Sequence, residues 1–260
     1  MTDQIEQSIY DFPVYYDLLF GSDWQAEFEF LEFCFDRYTK RTVERLFEPA
    51  CGTGRLLIKL AKSGYLVSGN DLNPKAIDYC NDRLERHGFG RPTAVGDMSN
   101  FRVDRKIDAA FNTINSFRHL PTEATAEAHL KCMSKALAKG GLYILGLHLL
   151  PTSGPTCGEE AWSARRGNLA VNSYMWSKKI DKKNRMEHLG MTIDIYTPTA
   201  HRKIVDHMEY RTYTKQQFER LLSTVPEFEI AGLHDFAYET DSQIGLNGRT
   251  EDAVFILRKR

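Results

Sequence analysis

Three acids and two glycines mark where this chain could do chemistry. Residues 46–54 read Leu-Phe-Glu-Pro-Ala-Cys-Gly-Thr-Gly, an apolar strand running into a small-residue turn. An apolar helical stretch, Arg55-Leu-Leu-Ile-Lys-Leu-Ala, follows it. A ligand can lie directly against glycine backbone, because no Cβ stands in the way. A helix start also offers free N–H groups. Asp71 ends the next apolar run, 19 residues after Gly52. That is close to the spacing at which a doubly wound nucleotide site places its ribose-binding carboxylate. The turn Ala50-Cys51-Gly52-Thr53-Gly54 is not G-x-G-x-x-G, so the pyrophosphate fingerprint is missing. Glu48 stands just before the turn, where it would repel a phosphate. A ligand with a ribose and a cationic amino acid end would be favoured there.

At these residues the sequence resembles the class I S-adenosylmethionine (SAM)-dependent methyltransferases. Their first motif is acid-x-Gly/Ala-x-Gly-x-Gly, and Glu48-Pro49-Ala50-Cys51-Gly52-Thr53-Gly54 matches it. The resemblance implies SAM as cofactor, held by Glu48, Ala50, Gly52, Gly54 and the ribose acid Asp71. It implies that Asp97, in Gly96-Asp97-Met98, takes the adenine amino group and that Met98 contributes a backbone N–H. Physically, the Met98 thioether could cover one face of the ring and Leu72 the other. Many small-molecule methyltransferases fold an N-terminal Tyr-Asp segment over the cofactor as a lid, and Tyr16-Asp17 matches that segment.

The polar loop Phe111-Asn-Thr-Ile-Asn-Ser-Phe-Arg-His-Leu120 follows the fourth strand candidate. In an open α/β sheet, ligands bind outside the carboxyl ends of the strands. This loop therefore belongs beside the methyl group, with Asn112 facing the cofactor. His119 is the candidate proton acceptor, since histidine has the side-chain pKa nearest neutrality. Asn115, Arg118 and His148 are candidate substrate contacts, and so are Trp162, Arg165, Tyr174 and Arg211 further on. The loop is not the Asn/Asp-Pro-Pro-Tyr sequence of methylases acting on exocyclic amines of nucleic-acid bases.

The elements that must position these residues alternate. Strand candidates lie near 44–49, 66–71, 92–95, 107–112 and 141–148, and helices near 54–64, 74–87 and 122–139. Asn73-Pro74 suits a helix start and Gly140-Gly141 a helix stop. Such alternation predicts an α/β fold, a doubly wound, mostly parallel, Rossmann-like sheet. Residues 13–20 and 23–38 are expected to be helical, the second with Phe28, Phe30, Leu31, Cys34 and Phe35 on one apolar face. Pro151-Thr-Ser-Gly-Pro155 is loop chemistry. Three period-two segments, 169–176, 185–196 and 203–213, predict an inserted antiparallel sheet. Thr214 and Gln217 form a capping box, and closing strands near 228–237 and 251–258 complete the sheet with a reversed C-terminal strand. The expected division is an arm or lid at 1–43, a cofactor domain at 44–150 and 214–260, and an insert at 151–213. The insert is expected to cover the cofactor cleft or to join two subunits as a homodimer.

This insert and the Tyr-Asp arm are similar to antibiotic amino-sugar N,N-dimethyltransferases and, more loosely, to glycine N-methyltransferase. Some sugar enzymes carry a His-Leu pair after the fourth strand, which His119-Leu120 matches. They also carry a tyrosine where this chain has Phe20, which brings no hydroxyl. The resemblance implies methyl transfer to a small-molecule acceptor, nitrogen ahead of oxygen. RNA or protein methylation, and SAM binding without catalysis, are the competing readings.

Composition narrows these. The 260 residues are 42% hydrophobic and carry 34 basic against 35 acidic side chains, so no electrostatic footprint for nucleic acid shows. Cys34, Cys51, Cys80, Cys132 and Cys157 are scattered, with no C-x-x-C pair. That pattern suggests reduced thiols in a cytoplasmic protein and no metal site. The first residues, Met-Thr-Asp-Gln-Ile-Glu-Gln, have no signal-peptide pattern, and no apolar run approaches the ~20 residues of a membrane span.

Overall fold

The computed structural model describes residues 3–154, 156 and 158–260, so Met1, Thr2, Pro155 and Cys157 lie outside the described residues. A short strand, β1 (Asp3–Glu6), and a 3₁₀ turn (Ile9–Asp11) lead into helices α1 (Pro13–Phe20) and α2 (Gln25–Tyr38). Strand β2 (Arg45–Pro49), helix α3 (Leu57–Lys62), strand β3 (Leu66–Asp71), helix α4 (Pro74–Arg86) and strand β4 (Thr93–Val95) follow. Next come strand β5 (Ile107–Asn112), a 3₁₀ turn (Ser116–His119), helix α5 (Glu123–Ala136) and strand β6 (Leu137–His148). Four strands come after these: β7 (Glu159–Arg166), β8 (Leu169–Asp181), β9 (Met186–Tyr196) and β10 (His201–Arg211). Helix α6 (Lys215–Ser223) and strands β11 (Phe228–His234) and β12 (Asp252–Lys259) close the chain.

Seven strands form the main sheet in the order β11-β12-β6-β5-β2-β3-β4. The pairs β2–β3, β2–β5, β3–β4 and β5–β6 are parallel, while β12 runs antiparallel to β6 and to β11. The strand order reverses between β2 and β5, and the crevice outside their carboxyl ends is where such sheets bind ligands. Every residue of β5 is buried, as expected for a strand with helices on both faces. Leu130 and Met133 of α5 pack on one face with Phe218 and Leu221 of α6. Phe30 and Leu31 of α2, Leu57 and Leu60 of α3, and Ile77 and Leu84 of α4 pack on the other. Each such side chain contributes roughly 1.5–3 kcal/mol on burial. Phe30, Leu31, Cys34 and Phe35 are buried as their spacing predicts, with Phe28 packed at the edge of the same cluster.

Strand boundaries on the main sheet fall within a few residues of those expected, with one correction. Gly140-Gly141 does not stop a helix. Helix α5 already ends at Ala136, and both glycines lie inside β6, where its pairing with β5 shifts register. A Cβ on Gly141 would sit 2.7 Å from the Asp108 carbonyl, so the close approach of two strands requires this glycine. Helix α3 also starts at Leu57, later than expected, because the turn before it is longer.

The second sheet has five strands, in the order β1-β10-β9-β8-β7. The period-two segments became β8, β9 and β10, all antiparallel. Two strands went unanticipated: β7 pairs antiparallel with β8, and β1 pairs parallel with β10, Ile5 opposite Ile204. Its inner face, with Val171, Met191, Ile193 and Ile204, packs against Ile9, Leu18 and Leu19 of the arm. The expected capping box at Thr214 and Gln217 is present. Among the described residues no helix is long and apolar enough to cross a membrane. Cys34, Cys51, Cys80 and Cys132 are free thiols.

Candidate active site

The turn between β2 and α3 adopts left-handed backbone three times, with φ 52° at Ala50, 51° at Gly52 and 67° at Gly54. The two glycines differ in purpose. A Cβ on Gly54 would collide with Sγ of Cys80 in α4, so this position lets turn and helix meet. A Cβ on Gly52 would meet nothing, so this position faces open space. Asp71, at the end of β3, fixes the turn: its Oδ2 accepts from the Gly52 N–H at 2.8 Å and its Oδ1 from the Asn73 N–H at 2.8 Å. Burial raises the Asp71 carboxyl, and those two N–H groups pull it part of the way back.

Beside this turn lie buried polar atoms that no described group satisfies. Glu48 Oε2 and Asn112 Oδ1 have no hydrogen-bond partner among the described residues. The Asn112 amide donates to the Pro49 carbonyl at 2.9 Å, bridging the crevice between β5 and β2. Burial holds the Glu48 carboxyl well above its usual range, with the Arg55 cation opposing. Arg55 itself is fixed by Glu27 at 2.6 Å. Asn70 on β3 has neither side-chain atom paired and lies against Gly96. Buried unsatisfied groups of this kind call for a reason, and a missing ligand is one.

On the far side of the turn, Asp97 Oδ1 accepts from both the backbone N–H and the hydroxyl of Ser99, at 2.7 and 2.8 Å. The acid therefore organises its own turn and keeps Oδ2 outside those bonds. Met98 departs from the expectation that its thioether covers a ring. The side chain is buried in the main core cluster. Its carbonyl is held by His129 Nδ1 at 2.8 Å, and His129 Nε2 meets the Tyr143 hydroxyl at 2.7 Å. Leu72, 69% exposed, and Val95, 57% exposed, instead stand at the carboxyl ends of β3 and β4 as open apolar surface.

Above the crevice runs a chain of rings contributed by the second sheet, the arm and the loop after β5. Trp162 meets Phe20 edge-on with centroids 5.4 Å apart, and Phe20 meets Tyr16 at 4.8 Å. Tyr16 meets Tyr10 at 5.6 Å, Tyr10 meets His119 at 5.5 Å, and His119 meets Tyr210 at 4.7 Å. Tyr16 lies within electrostatic reach of Arg55, Asp71 and Glu48, so this arm residue stands over the glycine turn. Its neighbour Asp17 is buried and clamps the arm to α4, with Arg83 at 2.5 Å and the Tyr79 hydroxyl at 3.1 Å. His119 is exposed at the mouth of the cleft, with the Tyr10 and Tyr210 rings packed against its imidazole. Burial, and then the Arg118 cation, hold its pKa down to about 4. His119 Nε2 lies 3.0 Å from the Tyr10 hydroxyl.

The remaining candidates divide. Asn115 and His148 come together, the backbone N–H of His148 donating to Asn115 Oδ1 at 2.7 Å, while the His148 ring Nδ1 lies 2.5 Å from Asp252. Arg118 is buried, donates to the Arg211 carbonyl at 3.1 Å, and pairs with Glu187 at 2.5 Å. Its guanidinium lies 5.0 Å from the centroid of the Tyr210 ring. Asn115, Arg118, His148 and Tyr210 line one narrow cavity, together with Glu159, Glu160, Glu187 and Glu251. Trp162 joins the ring chain. Arg211 is tied to Glu123 and the Pro121 carbonyl, both at 3.0 Å. Arg165 and Tyr174 are exposed, and Tyr174 stacks on Trp176, which lines that cavity.

Residues 47–141 match the protein-family model described as a methyltransferase domain. The chain carries a methyltransferase domain. A Geobacillus protein provisionally named a methyltransferase is 23% identical over 138 residues, covering 53% of this chain and 56% of that protein. The chain thus matches a little over half the length of this relative. A dTDP-3-amino-3,6-dideoxy-alpha-D-glucopyranose N,N-dimethyltransferase of Streptomyces fradiae is 25% identical over 214 residues, 79% of each chain. Among solved structures, a SAM-bound amino pentose methyltransferase from Micromonospora echinaspora superimposes with TM-score 0.72 over all of both chains at 19% identity, a likeness of fold.

The crevice fits S-adenosylmethionine, the ligand held by the Micromonospora protein of the same fold. The unsatisfied Glu48 carboxyl suits an ammonium group, and the open space at Gly52 admits a ligand against the backbone. The Asp71 oxygens each retain a lone pair for a ribose hydroxyl. Tyr10, Tyr210, Asn70 and His129 belong to this region and were not read from the sequence. Tyr10 and Tyr210 meet only through the pairing of distant strands, and nothing local marks them. Asn70, one residue before Asp71, had the clearest signal: a lone amide closing an apolar strand.

Proposed function

We propose that the chain transfers a methyl group from S-adenosylmethionine to a nitrogen of a small-molecule acceptor. The observation that carries this reading is the acidic lining of the cavity that adjoins His119 through Tyr210 and Arg118, where Glu187 answers the Arg118 cation and Glu159, Glu160 and Glu251 add further acids. Such a wall favours an acceptor that arrives as a cation, as an amine does. The named N,N-dimethyltransferase from Streptomyces fradiae supports the same class.

The bound cofactor would supply an electrophilic methyl on a sulfonium, open to in-line displacement. Glu48 binds the methionyl ammonium, Asp71 the ribose hydroxyls, and Asp97 Oδ2 the adenine amine. Leu72 and Val95 cover the apolar base. Residues 1–43 serve as the lid, with Tyr16 over the cofactor. Residues 44–150 and 214–260 hold the cofactor, and 151–213 supply the acceptor wall together with Arg118, His148 and Glu251 of the cofactor domain. His119 orients the acceptor. With Nε2–H donating to the Tyr10 oxygen, Nδ1 is free to accept an N–H from the amine. Placement of this kind is worth several orders of magnitude in effective molarity. A group with pKa about 4 is neutral at physiological pH but a weak base. Its main contribution is therefore orientation, with proton removal completed by water.

The test is methyl transfer from S-adenosylmethionine to a panel of amines, alcohols and tRNA, read by mass spectrometry. A methyl increment on amines alone is expected. Transfer confined to alcohols or RNA, or cofactor binding with no transfer to any of them, would overturn the reading.

A further inference from the structure

Away from the crevice, α1, α4 and the end of β7 line a separate, open cavity of about 330 Å³, with Asp17, Tyr79, Arg83, Arg86, His87 and Arg166 around it. That volume is within the range of small-molecule sites, roughly 300–1,000 Å³. Three guanidinium groups and an imidazole surround one carboxylate. The carboxylate is fully engaged: Asp17 takes Arg83 at 2.5 Å and the Tyr79 hydroxyl at 3.1 Å, with Arg166 at 3.7 Å. Arg86 spends its Nε on the Asp82 carbonyl at 3.0 Å, and no carboxylate pairs with it among the described residues. The side chain of Arg166 is 64% exposed. Positive charge in this cavity therefore exceeds what its one acid can neutralise.

We propose that this cavity binds a phosphate group, as the free dianion or as a phosphomonoester. Planar guanidinium forks match phosphate oxygens two at a time. The C-terminal end of α4 opposes an anion with about half a negative charge. Three guanidinium charges, less the one that Asp17 neutralises, still outweigh that. Arg83 also donates to the Thr53 carbonyl at 3.1 Å, inside the glycine turn, so it is structural and a poor residue to remove. Arg86 and Arg166 are the informative ones. Asp17 and Arg83 tie this cavity to the arm and the glycine turn, so the test rests on Arg86 and Arg166.

Calorimetric titration of the full chain with inorganic phosphate at low salt tests the proposal. One saturable site is expected, weakened as salt rises to about 0.15 M. Arg86→Gln and Arg166→Gln should each lower phosphate affinity roughly threefold to tenfold. The double variant should lose detectable binding while its melting curve stays cooperative and its S-adenosylmethionine affinity is retained. Ribose 5-phosphate binding more tightly than inorganic phosphate would assign the anion to a larger ligand. Equal affinity would assign it to the free ion, and either result supports the site. No saturable binding by the parent chain, or undiminished binding by the double variant, overturns it.

Discussion

The hydroxyl of Tyr10 lies 3.0 Å from Nε2 of His119, which joins the N-terminal arm to the loop after β5. Strand β1 makes this contact reachable. It pairs with β10, the Ile9 N–H then donates to Asp206 at 2.9 Å, and Tyr10 is delivered to the cleft. Tyr10 also shares a hydrogen bond with Tyr210, and burial pushes the Tyr10 phenol up, so its proton stays in place. The arm therefore supplies part of the polar surface of the cleft as well as covering it.

The first prediction concerns this pair. His119→Asn should lower turnover by about 10²-fold, through lost placement of the acceptor, while cofactor affinity is unchanged. Tyr10→Phe should have a smaller effect in the same direction, since the imidazole remains. The pKa of His119 is depressed to about 4, so it stays neutral through the ordinary assay range. Any acid limb between about pH 5 and 9 should then belong to the acceptor amine and persist in His119→Asn. A limb near 6.5 that vanishes in the variant would mean that the histidine titrates normally and that the orienting role is wrong.

Glu48 gives a stability prediction with a definite sign. An unfolded chain ionises this carboxyl near its ordinary 4.5, whereas burial holds the folded carboxyl well above that. The unfolded state thus binds fewer protons in the window above 4.5, and stability contributed by this group falls as pH rises through it. Glu48→Gln should therefore melt higher than the parent at about pH 8 and together with it near pH 4. The same variant should bind S-adenosylmethionine at least roughly tenfold more weakly, because an amide cannot balance an ammonium. Identical melting curves at every pH would show that the carboxyl is not perturbed by folding.

Asp71 holds the turn and, in the proposed reading, the ribose. Asp71→Ala removes the acceptor for both the Gly52 and Asn73 N–H groups, so a loss of roughly 1–3 kcal/mol in stability is expected. Asp71→Asn keeps one acceptor oxygen and should retain more of that stability. Both should weaken S-adenosylmethionine by roughly 1.5–3 kcal/mol, since each loses a charged acceptor. Calorimetry showing unchanged cofactor affinity in a folded Asp71→Asn protein would remove the residue from the site.

The legible parts of the chain were those with local punctuation. The strand-turn-helix at 45–62, the acid ending β3 and the capping box at Thr214 follow from apolar runs, glycines and side-chain caps within a few residues. Strand β1 had one apolar residue, Ile5, and its partner Ile204 lies almost 200 residues away, so no local pattern could announce it. Tyr10 and Tyr210 came together for the same reason. Gly140-Gly141 misled because a glycine pair after a helical pattern has the chemistry of a helix stop. Here one of the pair answers a close strand contact instead. Phe20 marked a missing hydroxyl in sequence. In the fold it is a ring between Tyr16 and Trp162.

The two glycines of the turn give the sharpest separation of fold from function. Both have positive φ, so alanine at either should cost about 1–2 kcal/mol of backbone strain. At Gly52 nothing more is expected for stability, because a Cβ there meets no atom. Gly52→Ala should fold and melt only slightly lower, yet bind S-adenosylmethionine poorly, since the methyl group fills the space proposed for the ligand. At Gly54 the Cβ runs into Cys80 Sγ, and Gly54→Ala should be clearly less stable than Gly52→Ala. Cys80→Ala removes the obstructing sulfur, and the Cys80 Cβ would remain at 3.6 Å from the new methyl, an ordinary contact. The Gly54→Ala/Cys80→Ala double variant should therefore be more stable than the sum of the single changes, a favourable coupling measurable by a double-mutant cycle in urea. Additive changes at this pair would mean that turn and helix do not meet at this point. Normal cofactor affinity in Gly52→Ala would place the ligand elsewhere.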